Sequence, residues 1–140
     1  MIAYEWRGPF DGREVSALHA EAFGGQGGSG GAGDPGAGPR DWRAQVERHS
    51  LGWVCARDGG DLAGFVNVAW DGGAHAFILD TMVAARMRRR GIGTGLVAVA
   101  VREARRAGCE WLHVDFEEHL RPFYVDGCGF TPSSAGLLAL

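Results

Sequence analysis

The chain has 140 residues, 46% of them hydrophobic, and a formal net charge of −3. This length and composition predict one domain over residues 1–140, and the acidic balance argues against a protein that binds nucleic acid through its overall charge. All fourteen basic residues are arginines, which excludes sites that need a lysine, such as a P-loop or a Schiff base.

No apolar run is long enough to span a membrane, and the first residues lack the pattern of a signal peptide. The three cysteines are an odd number without the spacing of a disulfide framework, which suits a reducing compartment. We therefore expect a cytoplasmic protein with no membrane partner. The chain contains two cysteines and two histidines that could be considered as zinc ligands, namely Cys109, His113, His119 and Cys128. Their spacing is not that of a zinc finger, so no metal site is predicted.

The first two elements are a short strand over residues 2–7 and a helix with a clear start signal. Asp11 is placed as the N-cap, and Glu14 stands at the position that completes a capping box. Phe10 and Val15 have the spacing of a hydrophobic staple across that start. The pattern predicts a helix that begins after Asp11 and buries one apolar face.

Residues 24–39 are rich in glycine and poor in apolar side chains, so we expect a flexible loop. The sequence leaves open whether this loop is a tolerated linker or a lid over a pocket. A short helix is predicted over residues 41–49. Three strands follow over residues 53–57, 62–70 and 75–83, and the turns between them predict an antiparallel meander.

The last part of the chain begins with a predicted helix over residues 91–107. The apolar segment 111–116 is expected to be a strand that lies centrally in the sheet, and Pro122 suits the first turn of a short helix. Residues 129–130 and 135–140 are predicted as the last strands. The fold class is therefore α/β, of the α+β type, with a central mixed sheet flanked by about four helices.

The segment between residues 82 and 97 places arginines directly before three glycines at alternate positions. The glycines Gly91, Gly93 and Gly95 open the predicted helix, and the arginines before them are Arg86, Arg88, Arg89 and Arg90. Free N–H groups and the dipole of a helix start bind anions, glycine permits close approach, and arginine adds charge. The sequence therefore predicts a phosphate group as the ligand.

Other interpretations of this segment fit less well. A dinucleotide fingerprint requires a glycine where Leu96 stands, and the preceding strands are joined by hairpins rather than helices. A P-loop requires a Gly-Lys-Ser/Thr sequence that the chain lacks. An arginine patch for nucleic acid is disfavoured by the acidic total, and a solvated charge run before a helix is the purely structural alternative.

The sequence RRRGIG at residues 88–93 has the [QR]-x-x-G-x-[GA] pattern of the GCN5-related N-acetyltransferases (GNAT), and the chain resembles that family. A second segment, FYVDGCGF at residues 123–130, resembles the family's F-Y-x-x-x-G-F with one extra residue. The order of the predicted elements also matches over residues 1–140. The resemblance implies a GNAT-type fold with acetyl-CoA in a V-shaped opening between two neighbouring central strands.

By this resemblance, backbone groups of Met82, Val83 and Ala84 pair with the pantetheine arm, and backbone N–H groups over residues 89–94 hold the pyrophosphate. A backbone N–H near Val83 would polarise the thioester carbonyl. The implied cofactor-binding residues are Met82, Val83, Ala84, Arg88, Arg89, Arg90, Gly91, Ile92, Gly93, Thr94 and Gly95.

Tyr124 matches the tyrosine that in many members protonates the departing thiolate, so the resemblance implies a general acid there; a core tyrosine that anchors its helix is the alternative. The family has no single base position, and Asp80 and Glu117 are the best candidates to deprotonate the amine. Where many members have an asparagine and an alanine, this chain has Glu117 and Leu120. Weaker candidates for the base are Asp115, Glu118, His113 and His119.

The implied function is an N-acetyltransferase that moves an acetyl group from acetyl-CoA to a primary amine of a small molecule or peptide, by direct attack in a ternary complex. The alternative is a non-catalytic CoA-binding sensor or scaffold on the same fold. The expected partners are acetyl-CoA and an amine acceptor, without nucleic acid, membrane or metal. The last strand is suited to pairing across a homodimer, and the sequence does not identify the acceptor.

Overall fold

The structure, a computed structural model, describes residues 1–23 and 40–140. The predicted glycine-rich loop at residues 24–39 lies outside the described residues. The strands are β1 Ile2–Trp6, β2 Ser50–Asp58, β3 Asp61–Trp70, β4 His75–Val83 and β5 Trp111–Val114. The helices are α1 Gly12–Phe23, α2 Trp42–His49 and α3 Ile92–Arg106, followed by the π-helix Pro122–Gly127. Two 3₁₀ turns are Ala85–Met87 and Glu118–Leu120.

The first two helices begin at side-chain caps. At α1 the N–H of Arg13 donates to Asp11 Oδ1 at 2.8 Å, and the N–H of Asp11 donates to Glu14 Oε2 at 3.1 Å. This is the predicted capping box. At α2 the N–H of Ala44 donates to Asp41 Oδ1 at 3.0 Å. Both helix starts therefore have donors satisfied by carboxylates of the chain itself.

The five strands form one sheet in the order β1-β2-β3-β4-β5. Neighbouring strands are antiparallel except β4 and β5, which are parallel. The predicted meander is therefore present as β2, β3 and β4. The mixed sheet with three α-helices and the π-helix confirms the predicted fold class.

Helices cover both faces of the sheet and build its core. On the face of α1 and α2, the ring of Phe65 contacts Phe10 and Trp42 edge-on, with centroids 5.4 and 6.2 Å away. Phe10 and Val15, the predicted staple, are both buried. On the other face α3 crosses the sheet at Gly64, where an added Cβ would meet α3 side chains at 3.0 Å. The glycine allows this close packing.

Strand β4 contains a β-bulge. Leu79 and Met82 pair with β3 residues that are only two positions apart, so β4 has one extra residue between them. Asp80, within this bulge, has a left-handed φ of +56°. The extra residue changes the alternation of the side chains, and Thr81 and Val83 consequently lie on the α3 side of the sheet.

Two predictions about the C-terminal part are wrong. β5 lies at the edge of the sheet rather than at its centre, and it is only four residues long. Trp111 on β5 is 64% exposed, whereas a central strand is covered on both faces. Residues 129–130 and 135–140 form no strand. Pro132 offers no backbone donor, and the residues from 131 onward are exposed without a neighbouring strand to pair with.

Candidate active site

The parallel pair β4–β5 opens into a cleft. Pairing between the two strands stops at Ile78 and Val114, but β4 continues to Val83. Within the described part of the chain, residues 79–83 have no strand beside them on this side. The cleft has a volume of about 530 Å³. Its lining residues are Thr81, Val83, Met87, Arg88, Arg89, Gly91, Ile92, Gly93, Thr94, Leu120, Phe123 and Tyr124.

The start of α3 forms one wall of the cleft. Its N-cap is Gly91, and no side chain among the described residues caps the helix. Arg88 and Arg89 line the same wall and form no ion pair with another described residue. Arg89 has a φ of +66°, in the left-handed region that arginine rarely adopts. Uncapped N–H groups beside unpaired guanidinium groups make this wall suited to an anion.

The three alternate glycines have three different structural reasons. Gly91 has a φ of +77°, in the left-handed region that favours glycine. A Cβ on Gly93 would lie 3.1 Å from the Phe123 ring, so the glycine keeps this part of the cleft open. A Cβ on Gly95 would overlap the Tyr4 ring, so that glycine allows β1 to pack against α3. Gly95 therefore acts in packing and does not line the cleft.

Tyr124 lies on the π-helix, lines the cleft and is only 6% exposed. Phe116 stacks on its ring with centroids 5.2 Å apart, and Phe123 and Phe130 contact it edge-on at 4.7 and 5.9 Å. Burial raises the pKa of Tyr124, and the neighbouring Thr81 hydroxyl lowers that pKa in part. At neutral pH the cleft therefore has a protonated phenol on a ring that aromatic contacts hold in place.

Some residues that the resemblance implied for cofactor binding do not line the cleft. The side chains of Met82 and Ala84 are buried. The N–H of Ala84 already donates to the carbonyl of Ala63, and its carbonyl accepts from the N–H of Met87, both at 2.8 Å. Ala84 therefore has little main-chain capacity left for pairing. Arg90, like Gly95, lies outside the lining.

Neither candidate base lines the cleft. Asp80, in the bulge, forms an ion pair with Arg40 at 3.3 Å, and the Arg40 guanidinium lies 3.6 Å from the centroid of the Trp42 ring. Glu117 has a side chain that is 72% exposed, and it lies 3.4 Å from His119. Neither carboxylate is therefore placed to contact a ligand in the cleft directly.

The cleft also contains residues that sequence reasoning did not select, namely Thr81, Met87, Leu120 and Phe123. Phe123 directly precedes Tyr124, so the motif that identified the tyrosine was also a signal for the phenylalanine. Thr81 was hidden by the bulge, because strict alternation along β4 assigns it to the same face as Leu79. Its hydroxyl oxygen is buried and has no hydrogen-bond partner among the described residues.

In residues 1–23 and 40–140, none of the helices combines the length and the apolar character that crossing a membrane requires. The same residues contain no cluster of three or more histidine, cysteine, aspartate or glutamate side chains suited to hold a metal ion. All three cysteines are free thiols.

The fold is similar to that of several solved acetyltransferases. A GNAT-family acetyltransferase from Streptococcus pneumoniae superposes with a TM-score of 0.74 at 19% identity, covering 100% of this chain and 98% of the other. Glucosamine-6-phosphate N-acetyltransferase from Arabidopsis thaliana gives 0.73 at 15% identity, with 100% and 98% covered. AAC(6')-Iy in complex with the bisubstrate analogue CoA-S-monomethyl-acetylneamine gives 0.73 at 16%, with 100% and 97% covered.

Among curated proteins, none matches the sequence significantly. The model of the acetyltransferase (GNAT) family, however, matches residues 14–130, which is most of the chain. Together with the shared fold, this match shows that the chain belongs to the GNAT acetyltransferase family.

Proposed function

We propose that the protein is an acetyl-CoA-dependent N-acetyltransferase that acetylates a primary amine of a small molecule or peptide by direct attack in a ternary complex. The observation that carries this proposal is that one cleft contains both the uncapped start of α3 and the phenol of Tyr124. The first feature suits the phosphates of a CoA ester, and the second suits the thiolate that acetyl transfer releases.

The cleft fits acetyl-CoA in its charge and its shape. The N–H groups at the start of α3, with Arg88 and Arg89, would hold the pyrophosphate. Gly93 would let the phosphates approach the helix, and the apolar side chain of Phe123 would contact the pantetheine arm. Acetyl-CoA would supply an acetyl thioester, which is activated toward an amine without a metal ion, and none is part of this proposal.

Tyr124 would act as the general acid. Its phenol, protonated at neutral pH because burial raises its pKa, would donate its proton to the sulfur as the carbon–sulfur bond breaks. Asp80 or Glu117 would accept a proton from the incoming ammonium group through water. No cysteine lines the cleft, which favours direct attack by the amine over a covalent acetyl-enzyme.

A non-catalytic CoA-binding sensor or scaffold is the second candidate. The observation that favours it is the position of Asp80 and Glu117 outside the cleft lining, since neither is in place to activate an amine directly. The two candidates share the proposed CoA site and differ only in turnover. A cytoplasmic location belongs to either proposal, because acetyl-CoA and free thiols are both typical of a reducing compartment. A homodimer is equally compatible with either.

The deciding experiment measures free thiol released from acetyl-CoA in the presence of a panel of primary amines: polyamines, aminoglycosides, amino sugars and peptides with free N-termini. Amine-dependent thiol release that is stoichiometric with acetylated product by mass spectrometry supports the enzyme. Binding of acetyl-CoA by calorimetry without release for any amine supports the sensor. No binding of acetyl-CoA at millimolar concentration would contradict both.

A further inference from the structure

Thr81 is a polar residue of the cleft to which the proposed chemistry assigns no role. Its Oγ1 is the only buried side-chain nitrogen or oxygen without a hydrogen-bond partner in residues 1–23 and 40–140. Leaving a buried hydroxyl unpaired destabilises the folded state. A buried hydroxyl without a bond on the wall of a cleft is available to a neighbouring polar group of the same cleft.

The bulge in β4 is what brings Thr81 to the cleft. Leu79 and Met82 face α1 and α2, opposite to the cleft, because they pair with β3 residues on that face. In a regular strand Thr81 would share the face of Leu79. The extra residue, Asp80, with its unfavourable φ of +56°, instead places Thr81 beside Val83 in the lining. The strained backbone at Asp80 thus places a hydroxyl group on the cleft wall.

The Tyr124 phenol, the proposed general acid, lines the same cleft as the Thr81 hydroxyl. Three aromatic rings fix the tyrosine ring from its sides and face, but its hydroxyl forms no hydrogen bond of normal geometry with a described residue. The Thr81 hydroxyl is close enough to favour the ionised phenol and so to lower the pKa of Tyr124 against the effect of burial. A hydroxyl that donates to the phenol oxygen favours the ionised phenol, whereas one that accepts from the phenol favours the protonated form.

We propose that Thr81 is a positioning residue, whose hydroxyl donates a hydrogen bond to the Tyr124 phenol oxygen and so leaves the phenol's own proton directed at the departing sulfur. This inference rests on the proposed function. When the carbon–sulfur bond breaks, the electron pair stays on sulfur, the phenol proton moves to it, and the phenolate oxygen keeps the hydrogen bond from Thr81. The bond is stronger to the phenolate than to the phenol, so it helps most as the proton leaves.

The test uses the fact that the chain has only two tyrosines, Tyr4 and Tyr124. In a Tyr4→Phe background the ionisation of Tyr124 is followed alone, by ultraviolet difference absorbance or by NMR of ring-labelled tyrosine. Thr81→Val removes the hydroxyl at nearly constant volume, and Thr81→Ser keeps it. We expect Thr81→Val to raise the pKa of Tyr124 by about one pH unit and to lower kcat about tenfold, with KM for acetyl-CoA nearly unchanged.

Thr81→Ser should retain both the wild-type pKa and most of kcat. If Thr81→Val does not fold, Thr81→Ala against Thr81→Ser gives the same comparison. An unchanged Tyr124 pKa in the hydroxyl-free variant, or an equal change in the serine variant, overturns the proposal. The titration does not require turnover. If no amine is acetylated, the proposed function fails, but the difference in the Tyr124 pKa between the Thr81→Val and Thr81→Ser variants still decides whether Thr81 bonds to Tyr124.

Discussion

The helices α1 and α3 begin in opposite ways. At α1 the carboxylates of Asp11 and Glu14 satisfy main-chain N–H groups, and Arg57 donates to Glu14 at 2.8 Å. Within residues 1–23 and 40–140, no side chain caps α3, and Arg88 and Arg89 form no ion pair. A start closed by its own carboxylates stabilises the fold, whereas an open start beside unpaired arginines is suited to an anion from outside the chain.

The comparison therefore divides the molecule into two regions. Changes at the start of α1 should alter the free energy of unfolding and leave ligand binding unchanged. Changes at the cleft around α3 should alter binding or turnover and leave the free energy of unfolding nearly unchanged. A variant that alters both quantities would break the comparison.

The largest effect is expected from Tyr124→Phe. The variant keeps the aromatic packing and removes only the proton donor, so kcat should fall roughly 10²-fold while the affinity for acetyl-CoA changes little. Steady-state thiol release and calorimetry measure the two quantities. Equal turnover by the wild type and the variant would assign Tyr124 to packing alone and leave protonation of the thiolate to solvent.

The pH dependence of turnover gives a second measurement on the same residue. A general acid works only while it is protonated, and burial raises the pKa of Tyr124. Activity that depends on this phenol should therefore persist above the pH at which an ordinary tyrosine ionises, and fall as pH rises through the raised pKa. Tyr124→Phe should lack this high-pH limb. If the activity of both proteins falls at high pH with the same midpoint, a group other than Tyr124 is responsible for the fall.

The next effect is expected from Gly93→Val, with Gly95→Ala as its matched control two residues away. A side chain on Gly93 would crowd Phe123 in the cleft and keep phosphates from the helix N–H groups, so the affinity for acetyl-CoA should fall about tenfold or more. A Cβ on Gly95 meets Tyr4 instead, so that variant should lose stability with little change in affinity. Equal affinity losses in both variants would contradict separate roles.

A smaller effect is expected from the double change Arg88→Gln and Arg89→Gln. These guanidinium groups lie at the mouth of the cleft and add charge to the helix start, so acetyl-CoA should bind about threefold to tenfold more weakly. The affinity should also depend less steeply on salt than in the wild type. Arg43→Gln removes one positive charge on α2 and should change neither quantity. A loss in the control as large as in the double variant would indicate only a change of net charge.

The parts of the fold with strong local signals were predictable from sequence. The capping box at Asp11 and the Gly-rich turn between β2 and β3 depend on neighbouring residues, and both are present. The position of β5 was not predictable in this way. Its apolar sequence suits a buried strand, but only pairing partners decide whether a strand is central. No partner forms after it, because residues 129–140 adopt no strand.

The candidate site shows the same limit at the level of single residues. The glycines were predicted to serve one ligand, whereas Gly95 packs against Tyr4 and Gly93 lines the cleft. The local sequence does not indicate which β1 side chain packs against α3, so it does not distinguish the roles of the two glycines. Thr81 was missed because a β-bulge shifts the strand alternation, and its residue Asp80 has no sequence feature that marks a left-handed φ. Tertiary contacts decide both cases.

The smallest effect is expected at α1, from Glu14→Gln. Glutamine still accepts the N–H of Asp11, so the main loss is the ion pair with Arg57, whose guanidinium lies 2.8 Å from the Glu14 carboxylate. The free energy of unfolding should fall by about 1 kcal/mol or less, because both groups retain contact with water. Denaturant unfolding measures this change, and the affinity for acetyl-CoA should equal that of the wild type.

The contribution of Glu14 to the free energy of unfolding depends on pH through the ionisation of its carboxyl group. The hydrogen bond from Arg57 lowers the pKa of Glu14 in the folded protein, so the ionised group stabilises the fold at pH values above its ordinary pKa. That contribution is lost as pH falls through the lowered value, because the folded and unfolded states then both bind the proton. The stability difference between wild type and Glu14→Gln should therefore be constant near neutrality and shrink in acid.

A difference that persists unchanged at low pH would mean that the glutamate acts through its shape rather than its charge. A loss of acetyl-CoA affinity in this variant would break the division between the two helix starts.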